Sequence, residues 1–401
     1  MDSLSKLLDM TALGAIAEQP GILIMLALAV ILLYLGIFKR YEPLLLIPIG
    51  FGVLLANIPG GNMAVVAAAE NPDIAHQTLP EIAAKFGIMN MLYYALIKSG
   101  LLPPLIFLGV GAMTDFGPML RNLRLAFFGA AAQLGIFTVL IGAIALGFTP
   151  KEAGALGIIG GADGPTAIYT SIVLAPHLLG PIAIAAYSYM ALVPVIIPLV
   201  VNLTISKKEL KINMKEQDKQ YPDRLEIKNL RRVKILFPIT LAAIIAILVP
   251  TATPLVGLLL FGNLIKEIGS DTKRLFQAAS ETIMNTATIF LGLIIGSTMT
   301  ITTFLKMETL LIIAGGFLAF AISILGGIVA VKIYNVFAQK KINPLIGATG
   351  LSAVPMASRV ANDIALQHDP RNHLLQYAMS SNISGVIGSA VAAGVLIALL
   401  G

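Results

Sequence analysis

An all-helical protein that crosses a membrane many times is predicted by three properties of this sequence: its apolar composition, the length of its apolar runs, and a carboxylate buried inside one of them. Charged residues make up 12% of 401, apolar residues 57%, and mean hydropathy is +0.89. That is too lipophilic for a soluble domain of this size. Residues 20–37, 125–148, 180–202, 284–303, 309–331 and 374–400 pass the test of roughly 17 to 25 apolar residues for a spanning helix. Shorter or interrupted runs at 43–57, 88–98, 103–118, 236–250 and 253–266 bring the expected total to about 9 to 11 transmembrane helices.

In chain order, the first run is read as a retained anchor. Asp2, Lys6 and Asp9 precede it without the compact basic region and small-residue cleavage site of a secretory signal. Lys39 and Arg40 follow, and residues 58–86 hold a single basic residue, Lys85. The segment 206–234 carries ten Lys or Arg and five Asp or Glu, 15 of the 48 charged residues of the chain. Basic residues mark cytoplasmic loops, so this segment, Lys39–Arg40, Arg121, Arg124, Lys273–Arg274 and Lys340–Lys341 are placed inside, and residues 58–86 outside. The expected organisation is an N-terminal membrane half (1–205), a cytoplasmic basic loop (206–234) and a C-terminal membrane half (235–401). A net charge of +6 is then a topology signal and implies no nucleic acid. With no cysteine there is no disulfide or thiolate metal site, and the four histidines lack paired ligand spacing.

The chemistry concentrates in Gly154–Ala175. Here Asp163 sits in the run Gly160–Thr166, GGADGPT. Three glycines, a proline and a carboxylate break a helix, and in lipid the freed backbone groups need protein, water or an ion. A charge at the membrane centre costs about 2.5–3.5 kcal/mol even on lenient insertion scales, which makes function the default reading. An unwound turn offers carbonyl oxygens beside Asp163 and the Thr166 hydroxyl, a set suited to Na⁺. The competing reading is an N-cap for a half-helix starting at Gly164–Pro165.

A second interrupted segment runs from Asn343 to Asp363, NPLIGATGLSAVPMASRVAND. Arg359 and Asp363, four apart, share a helix face, either as a salt bridge or with Arg359 free to clamp an anionic substrate. Asn382, Ser384 and Ser389 add oxygens in the last run. The halves also share words in order: LIKSG (Leu96–Gly100) with LIKEIG (Leu264–Gly269), IFLG at 106–109 and 289–292, and Gly157, Gly160, Pro165 with Gly347, Gly350, Pro355. Two inverted structural repeats, each with a broken re-entrant hairpin (near 153–175 and 343–360), are expected, the substrate site lying between them. A secondary Na⁺/H⁺ antiporter or Na⁺-coupled solute symporter fits these features as an alternative function. A passive membrane anchor would not need buried Asp163, Arg359 and Asn382.

Five words, GAMTDFGP (Gly111–Pro118), GGADGPTAIYTS (Gly160–Ser171), YSYMALVP (Tyr187–Pro194), NPLIGATGLSAVPMASR (Asn343–Arg359) and SNISGVIGSAVAAG (Ser381–Gly394), resemble the membrane β subunit of biotin-dependent, sodium-transporting decarboxylases. The resemblance spans nearly the whole chain. It implies decarboxylation of carboxybiotin coupled to sodium export at the cell membrane, with Na⁺ as cargo and carboxybiotin brought by a separate biotinyl carrier domain. It implies as partners a carboxyltransferase α subunit and a small single-span membrane subunit, in an oligomeric complex. Position by position, it implies that Asp163 handles sodium and protons, with Tyr189 on the same pathway. Asn343, Gly347, Ser352 and Asn382 are implied as further sodium-site positions, and Arg359 as the group that meets carboxybiotin. Tyr187 and Tyr189 are not separated by spacing alone. Ser381 and Ser384 lean toward an acyl-CoA member.

Overall fold

A computed structural model describes residues 11–40, 42–66, 71–221 and 229–401; Asp2, Lys6, Asp9 and part of the basic loop lie outside the described residues. Every regular element among them is helical. The principal helices are α1 (Gly21–Ile37), α2 (Pro43–Ala56), α3 (Leu102–Met113), α4 (Leu123–Ala132), α5 (Leu134–Ala145), α6 (Pro150–Gly157), α7 (Gly164–Leu174) and α8 (Leu179–Thr204). In the second half follow α9 (Leu230–Leu248), α10 (Thr253–Ile268), α11 (Met284–Thr298), α12 (Met307–Phe337), α13 (Leu345–Ala348), α14 (Met356–His368) and α15 (Leu375–Leu400).

Five helical stretches among the described residues are long and apolar enough to cross a membrane, and seven if each bent pair is one span. A count of nine to eleven needs shorter helices such as the 17-residue α1 and 14-residue α2 to span as well. Both bends have local causes. The 64° bend between Ile88–Ile97 and Leu102–Met113 contains Gly100 at φ 74°, with prolines 103 and 104 opening α3. The 65° bend between Pro176–Met190 and Leu192–Thr204 precedes Pro194, which has no N–H for the Met190 carbonyl.

Small residues let the helices approach closely, the usual device where lipid provides no hydrophobic drive between helices. A Cβ on Gly111 would lie 1.8 Å from the Leu259 carbonyl oxygen, and one on Gly262 would lie 2.0 Å from that of Leu108. The α3–α10 contact is therefore backbone against backbone. Ion pairs tie helix ends and connecting segments together: Lys234 pairs with Asp115 (2.6 Å) and Glu267 (3.2 Å), Lys332 with Glu209 (3.1 Å) and Lys340 with Asp218 (2.8 Å). His177 meets Glu152 at 2.8 Å, and Val65 N–H donates to Ser297 O at 2.9 Å.

One large apolar core surrounds α6, α7, α8 and α12, and a second lies among α1, α2, α3 and α11. The two helix–break–helix segments, α6–α7 and α13–α14, bring their breaks into contact at the edge of the first core. Ser352 N–H donates to Gly161 O at 3.1 Å.

Candidate functional site

The first break exists because the sequence there cannot continue a helix. After a short tight turn over Ile158–Gly161, Ala162 takes a left-handed conformation (φ 56°) and Asp163 an extended one, before Pro165 restarts the helix. Asp163 Oδ1 accepts the Thr166 N–H at 3.2 Å, so the residue does cap α7. Its second oxygen is engaged from elsewhere: Ser389 of α15 donates to Oδ2 at 2.8 Å. Ser352, in the second break, lies 2.8 Å from the Ser389 hydroxyl. A chain with Ser352 donating to Ser389, and Ser389 to the carboxylate, satisfies all three groups. Capping and cross-helix binding are thus simultaneous properties of one buried carboxylate.

Backbone carbonyls freed by the breaks are met by side chains, as a lipid surrounding requires. Ser323 donates to Gly160 O at 2.5 Å, and Gln133 to Gly350 O at 3.2 Å. Asn382 binds the Leu351 and Ala353 carbonyls through its amide nitrogen and accepts from Ser358 at 3.2 Å. Asn382 is therefore the brace under the second break, with its oxygen turned toward Ser358.

The remaining expected positions separate. Asn343 is fully buried, and its amide donates to the carbonyls of Leu210 and Ile212, both at 3.0 Å, while its oxygen accepts from Leu345 N–H. It ties the entry of the second hairpin to the segment after α8. Gly347 packs on α12, where a Cβ would lie 2.1 Å from Gly327 O. Tyr189 donates to the Ile313 carbonyl and packs on Phe317 and Phe320. Arg359 is exposed, and among the described residues the salt bridge to Asp363 that their spacing allows is not made. Asp163 and Ser352 are brought together; Asn343, Gly347, Tyr189 and Arg359 are not in direct contact with that pair.

A cavity of about 140 Å³ opens on Asp163, with Tyr187, Ser352, Thr288 and Glu42 as its other polar lining groups. Tyr187, not Tyr189, faces it. The Tyr187 ring lies so close to Gly164 that a Cβ there would be 2.4 Å from Cε1. Its hydroxyl is buried with no hydrogen-bond partner, as are the Thr166 hydroxyl and Gln133 Oε1. Buried oxygens left unpaired around a carboxylate form the kind of donor set a hard cation takes. Gln133 and Glu42 were not singled out by sequence: each reads as an ordinary polar residue in or beside an apolar run.

An all-helical, multi-pass membrane protein with a carboxylate held where two broken helices touch is the class this fold and site define. The chain belongs to the family of Na⁺-transporting oxaloacetate decarboxylase beta subunits, whose family model matches residues 21–400. It is 48% identical over 387 residues to the methylmalonyl-CoA decarboxylase subunit beta of Propionigenium modestum, covering 95% of both chains. It is 43% identical to the oxaloacetate decarboxylase beta chain of Klebsiella pneumoniae, over 99% of both. With the methylmalonyl-CoA decarboxylase subunit beta of Veillonella parvula it shares 45% identity over 393 residues, 96% of this chain and 95% of that one.

Proposed function

We propose that this chain is the subunit that decarboxylates carboxybiotin and couples the reaction to Na⁺ export with consumption of a proton. The observation that carries the reading is the Ser352–Ser389–Asp163 chain, which ties the sole carboxylate of the first break to the second break and to the last helix. Two inverted repeats, 1–205 and 235–401 joined by the basic loop 206–234, account for the meeting of two broken hairpins from opposite faces. Counting α1 and α2 as spans brings the total within nine to eleven.

Bound carboxybiotin, on a separate carrier subunit, supplies the carboxyl group that leaves as CO₂ and a ureido nitrogen that then needs a proton. Arg359 fits that group: it is exposed and makes no ion pair among the described residues, leaving its two-pronged donor face for a carboxylate. Asp163 holds the sodium ion, with the Ser352, Ser389 and Thr166 oxygens as neutral ligands. Asn382 and Asn343 act one step back by fixing the second hairpin. A proton reaching Asp163 from outside neutralises the carboxylate, and the site loses its hold on the cation. Coupling is competition between Na⁺ and H⁺ for one side chain. The expected partners are a carboxyltransferase α subunit, the biotin carrier and a small single-span subunit, in a complex with more than one copy of this chain. Oxaloacetate and methylmalonyl-CoA, the substrates in the relatives' names, are the candidates for the partner subunit.

Sodium uptake by inverted vesicles containing the complex tests this reading. Uptake should require a carboxylated acid and stop with avidin. Uptake driven by a proton gradient alone, insensitive to avidin, would instead make the protein an antiporter.

A further inference from the structure

Two carboxylates, Asp163 and Glu42, line the cavity. Asp163 belongs to the core of the site; Glu42 stands just before α2, after the basic pair Lys39–Arg40 that the charge rule puts at the cytoplasmic face. Glu42 adopts a left-handed backbone (φ 38°) at the N-cap position of α2 yet makes no side-chain capping bond. Its backbone carbonyl accepts from Leu45 and Leu46 N–H, but its carboxylate has neither a hydrogen bond nor an ion pair among the described residues. Arg359 acts on it electrostatically, yet no ion pair closes between the two among the described residues. Capping and pairing both fail to account for the residue.

A second observation points into the same space. The Tyr187 hydroxyl, on a side chain only 2% exposed, lines the cavity and has no partner. Thr288 and Ser352 add further neutral oxygens to the same lining. Apolar residues such as Met113, Met284 and Met356 make up most of the remaining wall, so an entering cation has few other charges to meet.

We infer that Glu42 is the receiving site for sodium in this cavity, where it holds the cation before Asp163 takes it. The inference rests on the reading of Asp163 as the sodium site given above. A carboxylate without a side-chain partner, in a cavity shared with Asp163, raises the local concentration of cations beside the site.

The test uses the whole complex. Glu42→Gln should raise the sodium concentration for half-maximal decarboxylation by about tenfold, the factor that about 1.4 kcal/mol of lost interaction represents, with maximal turnover kept. Because the chain has no cysteine, Glu42→Cys offers a readout that a merely structural role would not move. A thiol reagent carrying a carboxylate should restore the low sodium requirement, and one carrying a quaternary ammonium should raise it further, against reagent-treated wild type. An unchanged sodium requirement in Glu42→Gln, or the same response to both reagents in Glu42→Cys, overturns the inference. Asp163→Asn measured alongside separates the two levels: if it keeps wild-type turnover, the underlying reading fails; if it is inactive while Glu42→Gln behaves as wild type, only Glu42 is removed.

Discussion

Tyr187 and Tyr189 stand two residues apart on one helix and do different work. Tyr187 places an unpartnered hydroxyl at the cavity, whereas Tyr189 spends its own on the Ile313 carbonyl. Tyr187→Phe should leave thermal stability of the complex near wild type, since a buried donor without a partner contributes no bond, and should raise the half-saturating sodium concentration. Tyr189→Phe should cost about 0.5–1.5 kcal/mol by removing one hydrogen bond and leave the sodium requirement unchanged. The reverse pattern, sodium affinity lost only in Tyr189→Phe, would put the pathway on the other face of α8. Sequence could not separate this pair, because an apolar helix gives no azimuth when lipid and protein neighbours are equally apolar. Asp163 was legible for the opposite reason: a lone carboxylate in a glycine-rich apolar run has few explanations. The partners of Asn343, the Leu210 and Ile212 carbonyls, lie over 130 positions away in sequence, and nothing local announces them.

Helix pairs are the next level, and here glycine sets the geometry. The α3–α10 contact admits no side chain at Gly111 or Gly262, and Gly347 meets Gly327 in the same manner. Gly111→Val should push α3 off α10 and destabilise the complex by about 1–3 kcal/mol, the usual cost of overpacking, read as a lower thermal midpoint. Gly257, with only a methyl of Thr253 within 4 Å, should take alanine with little effect. An unchanged midpoint for Gly111→Val would mean that the two helices are not packed backbone to backbone. The breaks themselves were readable, since GGADGPT and the Gly347–Pro355 stretch contain the residues that end helices. Their partners were only partly so. Ser389 and Asn382 stood out as oxygens in an apolar run, while Gln133 and Ser323, which bind freed carbonyls from other helices, gave no signal.

Across the whole molecule, composition and apolar run lengths were enough for the all-helical membrane class. The number of spans was less legible, because helices of 14 and 17 residues and sharply bent pairs are as apolar as full spans. The breaks of α6–α7 and α13–α14 meet in the core, and sodium binding and decarboxylation are proposed at that contact. If one carboxylate serves both, neither activity can survive without it. The most direct measurement is CO₂ release and Na⁺ uptake followed together in sealed proteoliposomes containing the Asp163→Asn complex. The account predicts loss of both to background with the complex still assembled; decarboxylation at the wild-type rate with sodium transport intact would contradict it.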